Sequence, residues 1–172
     1  NFFGAGKAQS PWVMTITDAG GARIVGSPPV NSPANAVTTR SVDFNAQEDA
    51  KEIVWTGDGA VSIDGPAADL SRQLNGAFAL RIDGQIVQRG AGSVVLAMGN
   101  QRLDISDRIA RLPIGQPSTL MVPLRCFVDA GADMTQMGNA MRLEAESGFA
   151  MILASAKIEA VGENLPCPAP AG

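Results

Sequence analysis

Phe78-Ala79-Leu80-Arg81-Ile82-Asp83 decides the fold. Phe78, Leu80 and Ile82 alternate with Ala77, Ala79, Arg81 and Asp83. Apolar residues at every second position mark a strand with one face on a core and one toward water; a helix would repeat near 3.6. The same period recurs along the chain. Trp12, Met14 and Ile16 share a face, as do Val94, Leu96 and Met98. Leu120, Val122 and Leu124 alternate with Thr119, Met121 and Arg125. Met141, Leu143 and Ala145 form another set, and Phe149, Met151 and Leu153 follow after Ser147-Gly148. These read as half-buried antiparallel strands.

The punctuation fits that reading. Ala19-Gly20-Gly21 predicts a hairpin turn between strands near 12–18 and 22–26. Asp58-Gly59 separates Ile53-Val54-Trp55 from Val61-Ser62-Ile63 and reads as a second hairpin, ended by Asp64-Gly65-Pro66. Residues 27–36 read as a loop. Helical signals are few. Ser106–Leu112 predicts two turns stopped by Pro113, Asp133–Met137 a single turn capped by Asp133, and Asn45–Ala50 a turn or short helix before a strand. Nine or ten short strands with one or two short helices predict an all-β antiparallel sandwich, a jelly roll. The sandwich is expected over 1–162 as one domain, followed by a poorly ordered Pro-rich tail over 163–172.

The chain has 172 residues with 13 Lys and Arg against 17 Asp and Glu, a net charge of −4, and neither His nor Tyr. A length of 172 residues suits one domain, and 45% apolar content suits a packed core. The 19 Gly and 11 Pro are dispersed, as turns between short strands require. Without His there is no Ser-His-Asp or Cys-His pair and no imidazole metal site. A net acidic chain without a basic run is a poor nucleic-acid partner, because phosphate neutralisation dominates that affinity. No apolar run reaches a membrane span. The chain opens on Asn1 and lacks a signal-peptide pattern, so it reads as a segment of a longer protein. The two cysteines, Cys126 and Cys167, are too few for a thiolate cluster. They read as a buried thiol and a free thiol in the tail, with a disulfide open if the parent is secreted.

Candidate chemistry is sparse. Glu48, Asp49, Asp64, Asp69, Asp83 and Asp104 are carboxylates, but no spacing selects a glycosidase-type pair. Asp43, Glu48 and Asp49 are the densest acidic set; a structural calcium there lacks the Asp-x-Asp-x-Asp-Gly loop, and no cofactor is expected. Gly4-Ala5-Gly6-Lys7 lacks the spacing of a phosphate loop. Sugar rings are held by aromatic platforms and planar polar groups. Trp12 and Trp55 are in phase with core residues, which leaves little for a platform. A sugar site, if present, is expected at Trp55, Gln47, Glu48 and Asp49, then at Asn100 and Arg102.

Several segments in order resemble a known family. They are Ala8-Gln9-Ser10-Pro11-Trp12, Asp43-x-x-x-Gln47-Glu48-Asp49-Ala50, Trp55-x-Gly57, and Asp69-Leu70-Ser71-Arg72 with Asn75-Gly76. Met98-Gly99, Val122-Pro123-Leu124-Arg125-Cys126-Phe127 and Gly131-Ala132-Asp133-Met134 follow. Together, over roughly residues 8–160, they look like the C-terminal galactose-binding-like domain of bacterial exo-1,3/1,4-β-glucanases of glycoside hydrolase family 3. Two places depart from the family pattern. Asn100 stands where members often have Cys, and Pro117-Ser118-Thr119 where they often have Trp. The first removes the expected partner of Cys126 within the sandwich; the second weakens an aromatic platform.

The resemblance implies a parent with a (β/α)8 barrel and an α/β sandwich that carry the nucleophilic Asp and acid/base Glu. No catalytic residue then falls on this chain. It implies action on β-linked glucans outside the cytoplasm, commonly in the periplasm. The expected role is a non-catalytic accessory domain packed on the catalytic domains of the same polypeptide; the alternative is an independent module that binds β-glucan. A free-standing hydrolase is disfavoured, and neither a nucleic acid nor a membrane is an expected partner.

Overall fold

Two seven-stranded antiparallel sheets lie face to face in the computed structural model, which describes residues 1–26, 35–75, 77–161 and 164–172. The expected loop over 27–36 falls mostly outside the described residues, as do Gly76 and Glu163. The chain begins with β1 (Phe3–Gly4), β2 (Lys7–Ala8), β3 (Val13–Asp18), β4 (Gly21–Ile24) and β5 (Val37–Val42). Next come β6 (Ala50–Trp55), β7 (Gly59–Ala68), α1 (Ser71–Asn75), β8 (Phe78–Gln88), β9 (Val95–Met98) and β10 (Gln101–Asp104). It ends with α2 (Ser106–Arg111), β11 (Pro117–Pro123), α3 (Leu124–Asp129), β12 (Met137–Ala145), β13 (Ala150–Ala160) and β14 (Ala169–Pro170).

One sheet runs β11-β8-β13-β1-β2, with β6 on β13 and β5 on β6. The other runs β14-β10-β9-β12-β7-β3-β4. The core fills the space between them. Leu80, Ile82, Val122, Leu153 and Ala156 point inward from the first sheet, and Met14, Ile16, Ile63, Leu96 and Leu143 from the second. The alternation read at 78–83 sets this placement, and α2 ends before Pro113 as its sequence predicts.

Three sequence expectations change. Asp58-Gly59 does not close a hairpin: β6 pairs with β5 and β13, β7 with β3 and β12, so the chain crosses from one sheet to the other. Hairpin propensity is local, whereas the ladders of β6 with β5 and β13 are long-range and commit it to the first sheet. The strand Leu120–Leu124 stops at Pro123, and α3 begins at Leu124. Leu124 and Phe127, three apart, share the buried side of that short helix with Cys126. In β9, Val95 and Ala97 are buried on the outer face as well. Ala97 is flanked in register by Arg102 and Arg142, whose long stems shield it.

The tail also differs. Cys126 and Cys167 form a disulfide, with Cα atoms 5.4 Å apart. The tail packs on the sandwich, and β14 adds to β10 as an outer strand. The expected free thiols and loose tail are corrected by this contact, which local composition could not reveal.

Candidate functional site

Among the described residues, a depression on the outer face of each sheet gathers charged side chains. The larger holds about 640 Å³. In β8 the residues that alternate with Leu80 and Ile82 are Arg81 and Asp83, so both face outward. The ladder sets Thr119 of β11 opposite Asp83 on one side and Ser155 of β13 opposite it on the other. A register shift between Leu153 and Ser155 inserts Ala154 and turns the Ser155 hydroxyl to Asp83. Asp83 accepts from Thr119 Oγ1 at 2.6 Å, Ser155 Oγ at 2.9 Å and Arg81 Nε at 3.0 Å. Burial alone pushes this carboxyl up, but the donors of Thr119, Ser155 and Arg81 outweigh it and hold it below the ordinary aspartate range. Arg81 Nη1 also donates to Glu159 Oε2 at 2.6 Å, and these two carboxylates raise the guanidinium pKa.

The loop before β6 forms another wall through Phe44, Asn45 and Asp49. Asp49 folds the loop around itself, accepting the backbone N–H groups of Phe44 at 2.8 Å and of Asn45 and Ala46 at 3.0 Å. Asp43 Oδ1 accepts the Glu48 N–H at 2.7 Å. Desolvation raises the Asp49 carboxyl, and the three amides outweigh it and lower it. Asp49 is thus the loop's internal anion. Gln47 and Glu48 are exposed on the same loop. Among the described residues, no group of three or more His, Cys, Asp or Glu is arranged to hold a metal.

The second depression, about 380 Å³, lies on the opposite sheet over Ser93, Arg102, Arg142, Glu144 and Glu146. Glu144 receives Arg102 Nη2 at 2.8 Å on one oxygen and Arg142 Nε at 3.0 Å on the other. Its burial acts upward, while the two guanidiniums lower the carboxyl. Glu146 accepts the Ser93 N–H at 2.5 Å.

The six residues singled out from the sequence therefore do not form one site. Asp49 lines the larger depression and Arg102 the smaller. Asn100 occupies the tip of the β9–β10 hairpin, where Gly99 and Asn100 have φ of 57° and 67° and Met98 faces Gln101. Such a two-residue turn needs positive φ at both positions, which Gly and Asn tolerate. Trp55 offers no face to solvent: its indole packs at a tilt of 50° against Phe149, ring centroids 5.2 Å apart, and its Nε1 donates to the Gly59 carbonyl. Trp12 is half-buried, edge-on to Phe2 at 5.0 Å. Arg81, Thr119, Ser155, Arg142 and Glu144 were missed as a group. Their signal is outward alternation on adjacent strands, and it becomes a site only once the register is known.

The galactose-binding domain-like family Exop_C matches residues 10–158. The chain belongs to this family. No curated protein matches it. As an Exop_C domain it is similar in fold to the extra C-terminal domain of the exo-1,3/1,4-β-glucanase ExoP from a Pseudoalteromonas species, with 15% identity, a TM-score of 0.69 and 92% of each chain covered. Against the structure of the ExoP enzyme the TM-score is 0.73 at 15% identity, over 95% of this chain and 21% of that one. The chain thus spans about a fifth of that structure's length. The family 11 carbohydrate-binding module of Clostridium thermocellum, in complex with a β-1,3-1,4-mixed-linked tetrasaccharide, gives 14% identity and a TM-score of 0.53 over 95% of this chain and all of that one. No helix among the described residues is long and apolar enough to cross a membrane.

Proposed function

We propose that this Exop_C chain is a non-catalytic accessory domain of a family 3 glycoside hydrolase that acts on β-glucans, and that it packs on the catalytic domains of the same polypeptide. The observation that carries this reading is the family match over residues 10–158, and the fold likeness to an enzyme's extra C-terminal domain supports it. Among the carboxylates of the two depressions, Asp83 is engaged by Thr119, Ser155 and Arg81, Glu144 by Arg102 and Arg142, and Asp49 by the amides of its own loop. The proposal includes an extracytoplasmic, commonly periplasmic, location, supported by the Cys126–Cys167 disulfide.

Removing residues 1–172 from the longer polypeptide is expected to lower its thermal stability or its activity on long glucans. A deletion with unchanged stability and kinetics would overturn the docking role. The isolated chain is expected to leave aryl β-glucosides intact; hydrolysis by it would overturn the non-catalytic reading.

A second reading is that the chain itself binds β-glucan. It is favoured by the larger depression, where Arg81, Asp83, Thr119 and Ser155 form a preset row of donors and acceptors beside Phe44. Titration calorimetry with laminarin, mixed-linkage glucan and cello-oligosaccharides tests it. Binding that Arg81→Ala removes supports this reading, and no heat from any of the three refutes it.

A further inference from the structure

The last nine residues, 164–172, pack against three elements, and one covalent bond fixes them. Cys167 is exposed and joined to Cys126, which is 3% exposed on α3. Arginines from three elements donate to the tail. Arg125 of α3 reaches Asn164 Oδ1 at 3.0 Å and the Leu165 carbonyl. Arg108 of α2 reaches the Pro166 carbonyl, and Arg102 of β10 the Gly172 carbonyl at 3.4 Å. The Ala171 N–H donates to the Arg102 carbonyl at 2.9 Å, which extends the β14–β10 pairing. The tail has little else to hold it. Among its described residues, Asn164, Pro166, Cys167, Ala169, Pro170 and Gly172 are exposed, and an exposed hydrogen bond contributes little by itself.

We propose that residues 164–172 are a redox-released strap: reduction of Cys126–Cys167 frees the tail and uncovers the β10 edge beside the smaller depression. The reductant is a dithiol. Its thiolate attacks the exposed Cys167 sulfur, forming a mixed disulfide there and expelling Cys126 as a thiolate, which takes up a proton. The second thiolate of the reductant then attacks its own sulfur in the mixed disulfide and expels Cys167. The products are two protein thiols and one oxidised dithiol, a two-electron exchange. Arg125 Nη1 lies 3.2 Å from the Cys167 sulfur, where a guanidinium favours the departing thiolate. Once released, the tail no longer supplies acceptors to Arg102, Arg108 and Arg125. Arg102 keeps Glu144 but loses Gly172, so the strap bears directly on the wall of the smaller depression.

NMR of the 172-residue chain, oxidised and after dithiothreitol, tests the strap. Backbone order parameters of residues 164–172 are expected to fall from about 0.85 to below about 0.6 on reduction. Amide shifts of Gln101–Asp104 should move, while those of β8 and β13 stay in place. The Cys167→Ser variant should show the released pattern without reductant. Tail order parameters that stay high after full reduction would overturn the proposal, because the polar contacts alone would then hold the tail. Collapse of the dispersed spectrum on reduction, or in Cys167→Ser, would also overturn it, since the bond would then be a staple of the whole fold.

Discussion

Trp55 Nε1 donates to the Gly59 carbonyl at 2.9 Å, across the point where the chain leaves one sheet for the other. The bond pins the crossing from the inside: the indole is in the core, and its polar edge satisfies a backbone group beside the bend. Trp55→Ala removes both the ring and the donor. The expected cost is about 3–5 kcal/mol, as for other large aromatic deletions from cores. Denaturant unfolding measures it; a loss below about 1 kcal/mol, well under that range, would show that the crossing holds without the indole. Trp55→Phe should recover the packing and lack the hydrogen bond, and so fall between the two.

Asp83 makes stability depend on acid. Its folded pKa lies below the unfolded aspartate value of about 3.9. The stabilisation it provides is therefore fully present above the unfolded pKa and is lost as pH falls through the folded one. Thermal melts of the native chain and of Asp83→Asn at about pH 7 and at steps below about pH 4 should converge as pH drops. Parallel curves would mean that Asp83 does not carry this linkage.

Glu144 stands between Arg102 and Arg142. Glu144→Gln leaves the two guanidiniums facing each other without their shared anion. The expected loss is about 1 kcal/mol at low ionic strength, shrinking in high salt as screening weakens the repulsion. Unfolding at two salt concentrations reads this directly, and an effect independent of salt would point to packing instead.

Gly84 sits in β8 opposite the register shift of β13. A Cβ added there would meet the Ile152 carbonyl oxygen at 2.0 Å, far inside contact distance. Gly84→Ala should cost about 1–3 kcal/mol, the usual range for forced overpacking, and should blur the bulge that aims Ser155. Unfolding and the Ser155 amide shift report on the two effects separately; a neutral variant would show that β13 slides away freely.

How far the sequence reached depended on the range of each signal. The alternation at Leu80, Arg81, Ile82 and Asp83 fixed the strand and both its faces, because side-chain direction in a strand is local. Asp58-Gly59 misled for the same reason: its turn chemistry is local, but sheet membership follows from the long-range pairing of β6 with β5 and β13. Leu124 continued the period of two from Leu120, and only the spacing to Phe127 betrayed a helical turn. The Cys126–Cys167 pair stood open in the sequence and could not be decided there, since it depends on the tail returning to α3. Of the site, Asp49 and Arg102 were named singly. Their neighbours Thr119, Ser155 and Glu144 join them through strand register, which composition does not encode.

The same disulfide closes a ring of chain between positions 41 apart. That ring contains β12 of one sheet and β13 of the other. Even after complete unfolding, then, one strand of each layer stays on a short common loop. In the chain-entropy account a loop of this size removes about 4 kcal/mol of freedom from the unfolded chain. The two layers that must meet to make the sandwich begin their search already within reach of each other.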